Sequence, residues 1–119
     1  MNGKQFLSGF LAGSSVIFGA LGYQVWKVDP YFHYHAPDTA AHSYTLNAER
    51  YQNDGIVKHF TYDAVITGSS MTSNFKASQM DALFNVHSVK TTFLGATPKE
   101  TAMLIQAALK ANPDITLVL

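Results

Sequence analysis

Two short stretches of small residues stand where this sequence could do chemistry. Gly68-Ser69-Ser70-Met71 follows an apolar, β-prone run, and Gly95-Ala96-Thr97 follows a second one. If both runs are parallel strands, the two turns face one edge of a sheet, the edge where ligands bind in open α/β folds. A serine in a strand-to-helix turn projects its hydroxyl above the sheet as a nucleophile. A backbone N–H beside a nearby glycine can then aim at a developing oxyanion. The same residues also suit a structural role, with Gly68 forming a tight turn and Ser69 and Ser70 capping the next helix. Phosphate or nucleotide binding at that helix start ranks below both, because the turn lacks a G-x-G-x-x-G or G-x-x-x-x-G-K pattern.

A serine nucleophile needs a base within hydrogen-bond reach, about 3 Å. Of the five histidines, His59 precedes the first run and His87 the second. Both are therefore expected at the opposite edge of the sheet, about 15 Å from Ser70 for strands of roughly five residues. His33, His35 and His42 lie in an irregular segment. His33 and His35 would share a face if extended and so present two imidazoles to a metal, but no third ligand is placed beside them. No metal and no cofactor is expected.

The elements that would position these groups are legible in outline. The chain has 119 residues and 13.0 kDa, enough for one domain. Eight Lys and Arg balance eight Asp and Glu, so no basic excess exists for neutralising phosphates, and a nucleic-acid partner is not expected. Charged residues make up only 13% against 47% hydrophobic, which points to membrane contact rather than disorder. With no cysteine there is neither a disulfide framework nor a thiolate metal site.

From Phe6 to Trp26 no residue is charged. As a helix this stretch is about 31 Å long, the thickness of a bilayer's hydrocarbon core. Glycines and serines dilute it, so its insertion energy is modest, a few kcal/mol at about the most. Lys4 precedes it, and Lys27 after it is offset by Asp29, so the positive-inside rule places the N-terminus in the cytoplasm and everything after Trp26 outside the cell membrane. Ala20-Leu21-Gly22 would pass as a signal-peptide cleavage site. The length of the span and the interfacial pair Tyr23 and Trp26 favour an uncleaved single-pass anchor.

Residues 28–46, broken by Pro30 and Pro37, read as an irregular stalk. Asn47 is placed to cap a short helix through Val57, weakened near its end by Gly55. Ala64-Val65-Ile66-Thr67 is a strand ending at Gly68. Ser78 and Asp81 make a capping-box-like start for a helix with an apolar stripe of Met80, Leu83 and Phe84. Ser88 to Leu94 is a second strand. Thr97-Pro98-Lys99-Glu100 opens a third helix whose apolar face runs through Met103, Leu104, Ala107, Ala108 and Ala111. Asn112-Pro113 stops it, and Asp114 to Leu119 is a third strand with the apolar run Ile115-Thr116-Leu117-Val118-Leu119. The expected fold class is α/β: a transmembrane helix, then the first half of a doubly wound parallel-sheet domain. The parts are an anchor over 1–27, a stalk and short helix over 28–60, and a partial α/β domain over 61–119.

The string Tyr62-Asp63-Ala64-Val65-Ile66-Thr67-Gly68-Ser69-Ser70-Met71 resembles the first block of the SGNH (GDSL-like) hydrolase superfamily, in which a strand ends in Gly-Asp-Ser or a relaxed Gly-x-Ser. The strand ending at Gly95 resembles that superfamily's second block. Asp29-Pro30-Tyr31-Phe32-His33-Tyr34-His35, with Tyr44 to Asn47 and Glu49 to Gly55, is similar to membrane-anchored SGNH-like proteins of Gram-positive bacteria. The Gly-Ser-Ser form also resembles, more loosely, the D-alanine transfer protein of the teichoic-acid pathway. The resemblance implies a flavodoxin-like fold, with Ser70 as nucleophile and the Ser70 and Gly95 amides as oxyanion donors. Ser69 departs from the pattern, standing where better-known members have Asp. The superfamily's third block, an Asn, and its fourth, the Asp-x-x-His that supplies the base, would lie beyond Leu119, so this chain would be the inactive N-terminal part of an esterase or acyltransferase. Its expected partners are the lipid bilayer and acyl esters of envelope glycan or teichoic acid. The rival reading is a non-catalytic envelope protein that keeps the scaffold for binding or assembly, with Ser70 only a cap.

Overall fold

The structure, a computed structural model, describes residues 2–119. Asn2 opens the first helix, α1 (Gly3–Val28), through a capping box: its side chain accepts from the Lys4 amide while the Gln5 side chain accepts from the Asn2 amide. None of the residues of α1 is buried, and the helix is long and apolar enough to cross a membrane. It projects from the rest of the chain, which gives the molecule its 72 Å long axis.

Asp29 ends α1 in a left-handed conformation at φ 40°, and its carboxylate then accepts from the amides of His33, Tyr34 and His35. One buried side chain thus replaces the secondary structure that residues 29–46 lack. Within that segment Phe32 turns inward, 1% exposed, against Tyr44 and Phe60. The second helix, α2 (Glu49–His59), starts one residue later than a cap at Asn47 would have placed it. Ala48 is its N-cap, without a side-chain hydrogen bond. Buried Gln52 takes over the work of a cap: its side chain accepts from the Ala48 amide and donates to the Pro30 and Thr45 carbonyls.

Three parallel strands follow, β1 (Ala64–Gly68), β2 (Ser88–Thr92) and β3 (Leu117–Val118), in the order β2-β1-β3. Between them lie a 3-10 turn (Thr72–Asn74), α3 (Ala77–Phe84) and α4 (Pro98–Ala111). Alternation along β1 divides the core. Val65 joins Val89, Ala108, Ile56 and Val57 under α2 and α4, whereas Ala64 and Ile66 pack on Met80 of α3. The two crossover helices therefore cover opposite faces. Two crossovers of the same hand on opposite faces carry the chain to opposite sides of β1, which accounts for the strand order.

Several local expectations are not met, the first because a tertiary contact wins. The Ser78–Asp81 cap does not form: α3 starts at Ala77 with Lys76 as N-cap, and Asp81 accepts instead from the amide and hydroxyl of Ser88, tying α3 to the start of β2. Those bonds, led by the one from the Ser88 hydroxyl, hold the Asp81 carboxyl below the usual value of 3.8. Of the expected apolar stripe on α3, only Met80 is buried, while Leu83 and Phe84 face outward. The second strand ends at Thr92, before Leu94. The third is regular only over Leu117–Val118, although the Leu119 amide still bonds the Val65 carbonyl and its own carbonyl receives the Thr67 amide. The Thr97–Glu100 capping box of α4 forms as its residues require, with Pro98 in the first turn.

Candidate active site

The reversal of direction at β1 creates a topological switch point, between the C-terminal ends of β1 and β3, where an open α/β sheet leaves a crevice for ligands. The turn after β1 stands there. Gly68 adopts φ +139°, and a Cβ on it would collide with the Thr72 hydroxyl, so only glycine serves at this position. The chain then folds back through the Ser69 carbonyl, which accepts from the amides of Thr72 (3.0 Å) and Ser73 (3.3 Å).

Ser70 sits at the tip of this turn, exposed. Among the described residues neither its hydroxyl nor its amide makes a hydrogen bond, and neither Ser69 nor Ser70 caps α3, which begins seven residues after Ser70. The second turn leaves the neighbouring strand, since Gly68 pairs with Thr92. Its Ala96 amide bonds the Phe93 carbonyl, and Gly95 takes φ +70° inside that four-residue turn. The Gly95 amide, like that of Ser70, has no hydrogen-bond acceptor among the described residues.

Groups that carry no signature in the sequence hold the two turns in place. The Ser73 hydroxyl donates to that of Thr92 at 3.1 Å, and the Lys90 ammonium reaches from β2 to the carbonyls of Ser73 (2.7 Å) and Phe75 (3.3 Å). On the other flank, the Arg50 guanidinium lies 4.6 Å from the centre of the Phe93 ring and pairs with Glu100. Glu100 also accepts from the Thr97 amide and hydroxyl, and these bonds, followed by the one from Arg50, hold its carboxyl below the usual value of 4.5.

The histidines stand apart from Ser70. His87 lies at the N-terminal edge, where its amide bonds the Asp63 carboxylate at 2.7 Å, and His59 ends α2 ahead of β1. A five-residue strand separates that edge from Ser70 by about 15 Å. His33 packs against the Tyr31 ring, and His35 turns away to the end of α1. Among the described residues no group of three or more His, Cys, Asp or Glu could hold a metal ion.

Comparison with known proteins finds no family model that matches the chain, and no curated protein and no solved structure with significant similarity to it.

Proposed function

We propose that this chain carries the nucleophile half of a membrane-anchored, SGNH-like esterase or acyltransferase that acts outside the cell membrane on acyl esters of envelope glycan or teichoic acid. The observation behind the reading is Ser70: an exposed, unbonded hydroxyl at the switch point of a parallel sheet, on a turn that only glycine at position 68 permits. In this reading β1, α3, β2, α4 and β3 are the first half of a doubly wound sheet. α1 spans the bilayer, with Lys4 on the cytoplasmic side.

The Ser70 hydroxyl oxygen attacks the acyl carbonyl carbon. The carbonyl electron pair moves onto oxygen, where the Ser70 and Gly95 amides receive it. Collapse of that intermediate expels the alcohol, which takes up the proton that serine gave to the base, and leaves an acyl-serine for water or a second alcohol. The reading requires a base from outside residues 1–119, since no imidazole of this chain reaches Ser70.

In the protein purified from its own membranes, Ser70→Ala should reduce hydrolysis of an acetyl or alanyl ester to background, and Ser69→Ala should leave most of it. Equal turnover by the Ser70→Ala variant would remove Ser70 as the nucleophile, and a wild type without turnover would leave the non-catalytic binding reading.

A further inference from the structure

The strongest unexplained polar arrangement is at the end of α1. The carbonyl of Val25 receives the Asp29 amide, but the next one, Trp26, would look to residue 30, which is a proline without an N–H. His35 supplies the missing donor. Its Nε2 lies 2.8 Å from the Trp26 carbonyl oxygen, and its Nδ1 lies 2.8 Å from that of Ala36. Its ring stands edge-on to the Trp26 indole, centroids 5.5 Å apart.

A neutral imidazole has one N–H and can satisfy only one of these carbonyls, leaving a lone pair facing the other oxygen. The imidazolium donates to both. We propose that His35, as a cation, is a pH-operated clasp that ties the loop after Asp29 to the C-terminal end of α1 and fixes the angle between that helix and the α/β body, releasing it as the proton is lost.

Every neighbouring group bears on the sign. The bonds to the Ala36 and Trp26 carbonyls raise His35 above 6.5, desolvation opposes them, and the Asp29 and Asp38 carboxylates add to the rise. Lys27 in the last turn of α1 is the nearby cationic side chain along the chain, and the His33 imidazole lies two residues away. For Asp29 burial acts upward, but the Tyr34, His35 and His33 amides and the His35 charge outweigh it and hold the carboxyl below 3.8. The His35 contribution is complete below 6.5 and disappears as pH rises through its raised value. The Asp29 contribution is complete above 3.8 and disappears as pH falls through its lowered one. The junction is therefore tightest in the mildly acidic range between the two.

The test uses the full chain in lipid nanodiscs. Trp26 is the only tryptophan and there is no native cysteine, so its emission reports the junction directly, and spin labels on Ala12→Cys and Lys58→Cys report the helix-to-body distance. Because a protonated imidazole in contact quenches indole, emission should rise with pH in one step with a midpoint above 6.5. The distance distribution should be narrow near about pH 5.5 and broad near about pH 8.5. His35→Gln should abolish the emission step and leave the distribution broad at both values, whereas His33→Gln should change neither result. A wild-type distribution of equal width at both pH values overturns the proposal whatever the variants do, and so does an emission step that survives His35→Gln.

Discussion

Replacing Phe32 with alanine is expected to destabilise the folded body by about 3–5 kcal/mol, the cost of emptying a large aromatic site in a core. The position looks unpromising, since residues 29–46 form no helix or strand. Yet Phe32 is among the largest fully buried side chains. Its ring lies 5.2 Å from both Tyr44 and Phe60, and its cluster reaches Ile56, Val57 and Val65 beneath the sheet. The chain accepts φ +58° at this residue to turn the ring inward, a conformation costly for a bulky side chain. Urea unfolding of the wild type and Phe32→Ala, each in the same detergent, measures the difference. A loss below about 1 kcal/mol, the scale of a surface substitution, would mean that the segment does not belong to the core.

Gly55→Ala should act against helix propensity. In an exposed helix the change would stabilise by about 1 kcal/mol. Here a Cβ would lie 2.5 Å from the Phe32 carbonyl oxygen and closer still to that of Tyr31, and these are backbone atoms that cannot swing aside. The expected result is destabilisation by about 1–3 kcal/mol, as for other overpacked sites, since the loop must lift off α2. Unfolding midpoints for Gly55→Ala decide the sign, and a gain in stability would contradict the close approach. Gly55 and Phe32 serve one docking surface, so the double variant should lose less than the sum of the two single losses.

These two residues also mark where sequence reasoning stops. Patterns that depend on a few consecutive residues were legible: the apolar run at Ala64–Thr67, the Thr97–Glu100 box and the uncharged span of α1 all form, because their determinants are local. Gly55 looked like a weakness in a helix because the backbone it receives is more than twenty residues away. Asp81 looked like a cap because nothing in its own neighbourhood reveals Ser88, seven residues on, as the better donor. Phe32 sits among polar and aromatic residues with no period, and its burial depends on contacts remote in the chain and on a loop shaped by the Asp29 carboxylate. At the candidate site, the glycine and serine turns were visible, and so was the distance of His59 and His87 from Ser70. The brace of Lys90, Ser73 and Thr92 was not, since it forms only when β1 and β2 lie side by side.

In the proposed function the Ser70 hydroxyl is a nucleophile rather than an idle turn residue. Its most direct test is to treat the protein, purified from its own membranes in folded form, with a fluorophosphonate and to map the modified peptide by mass spectrometry. The expected result is a phosphonyl adduct on Ser70, lost on prior denaturation, with none on Ser69 or Ser73. A folded protein that takes up no label at Ser70 while a control serine esterase in the same tube reacts fully would contradict it.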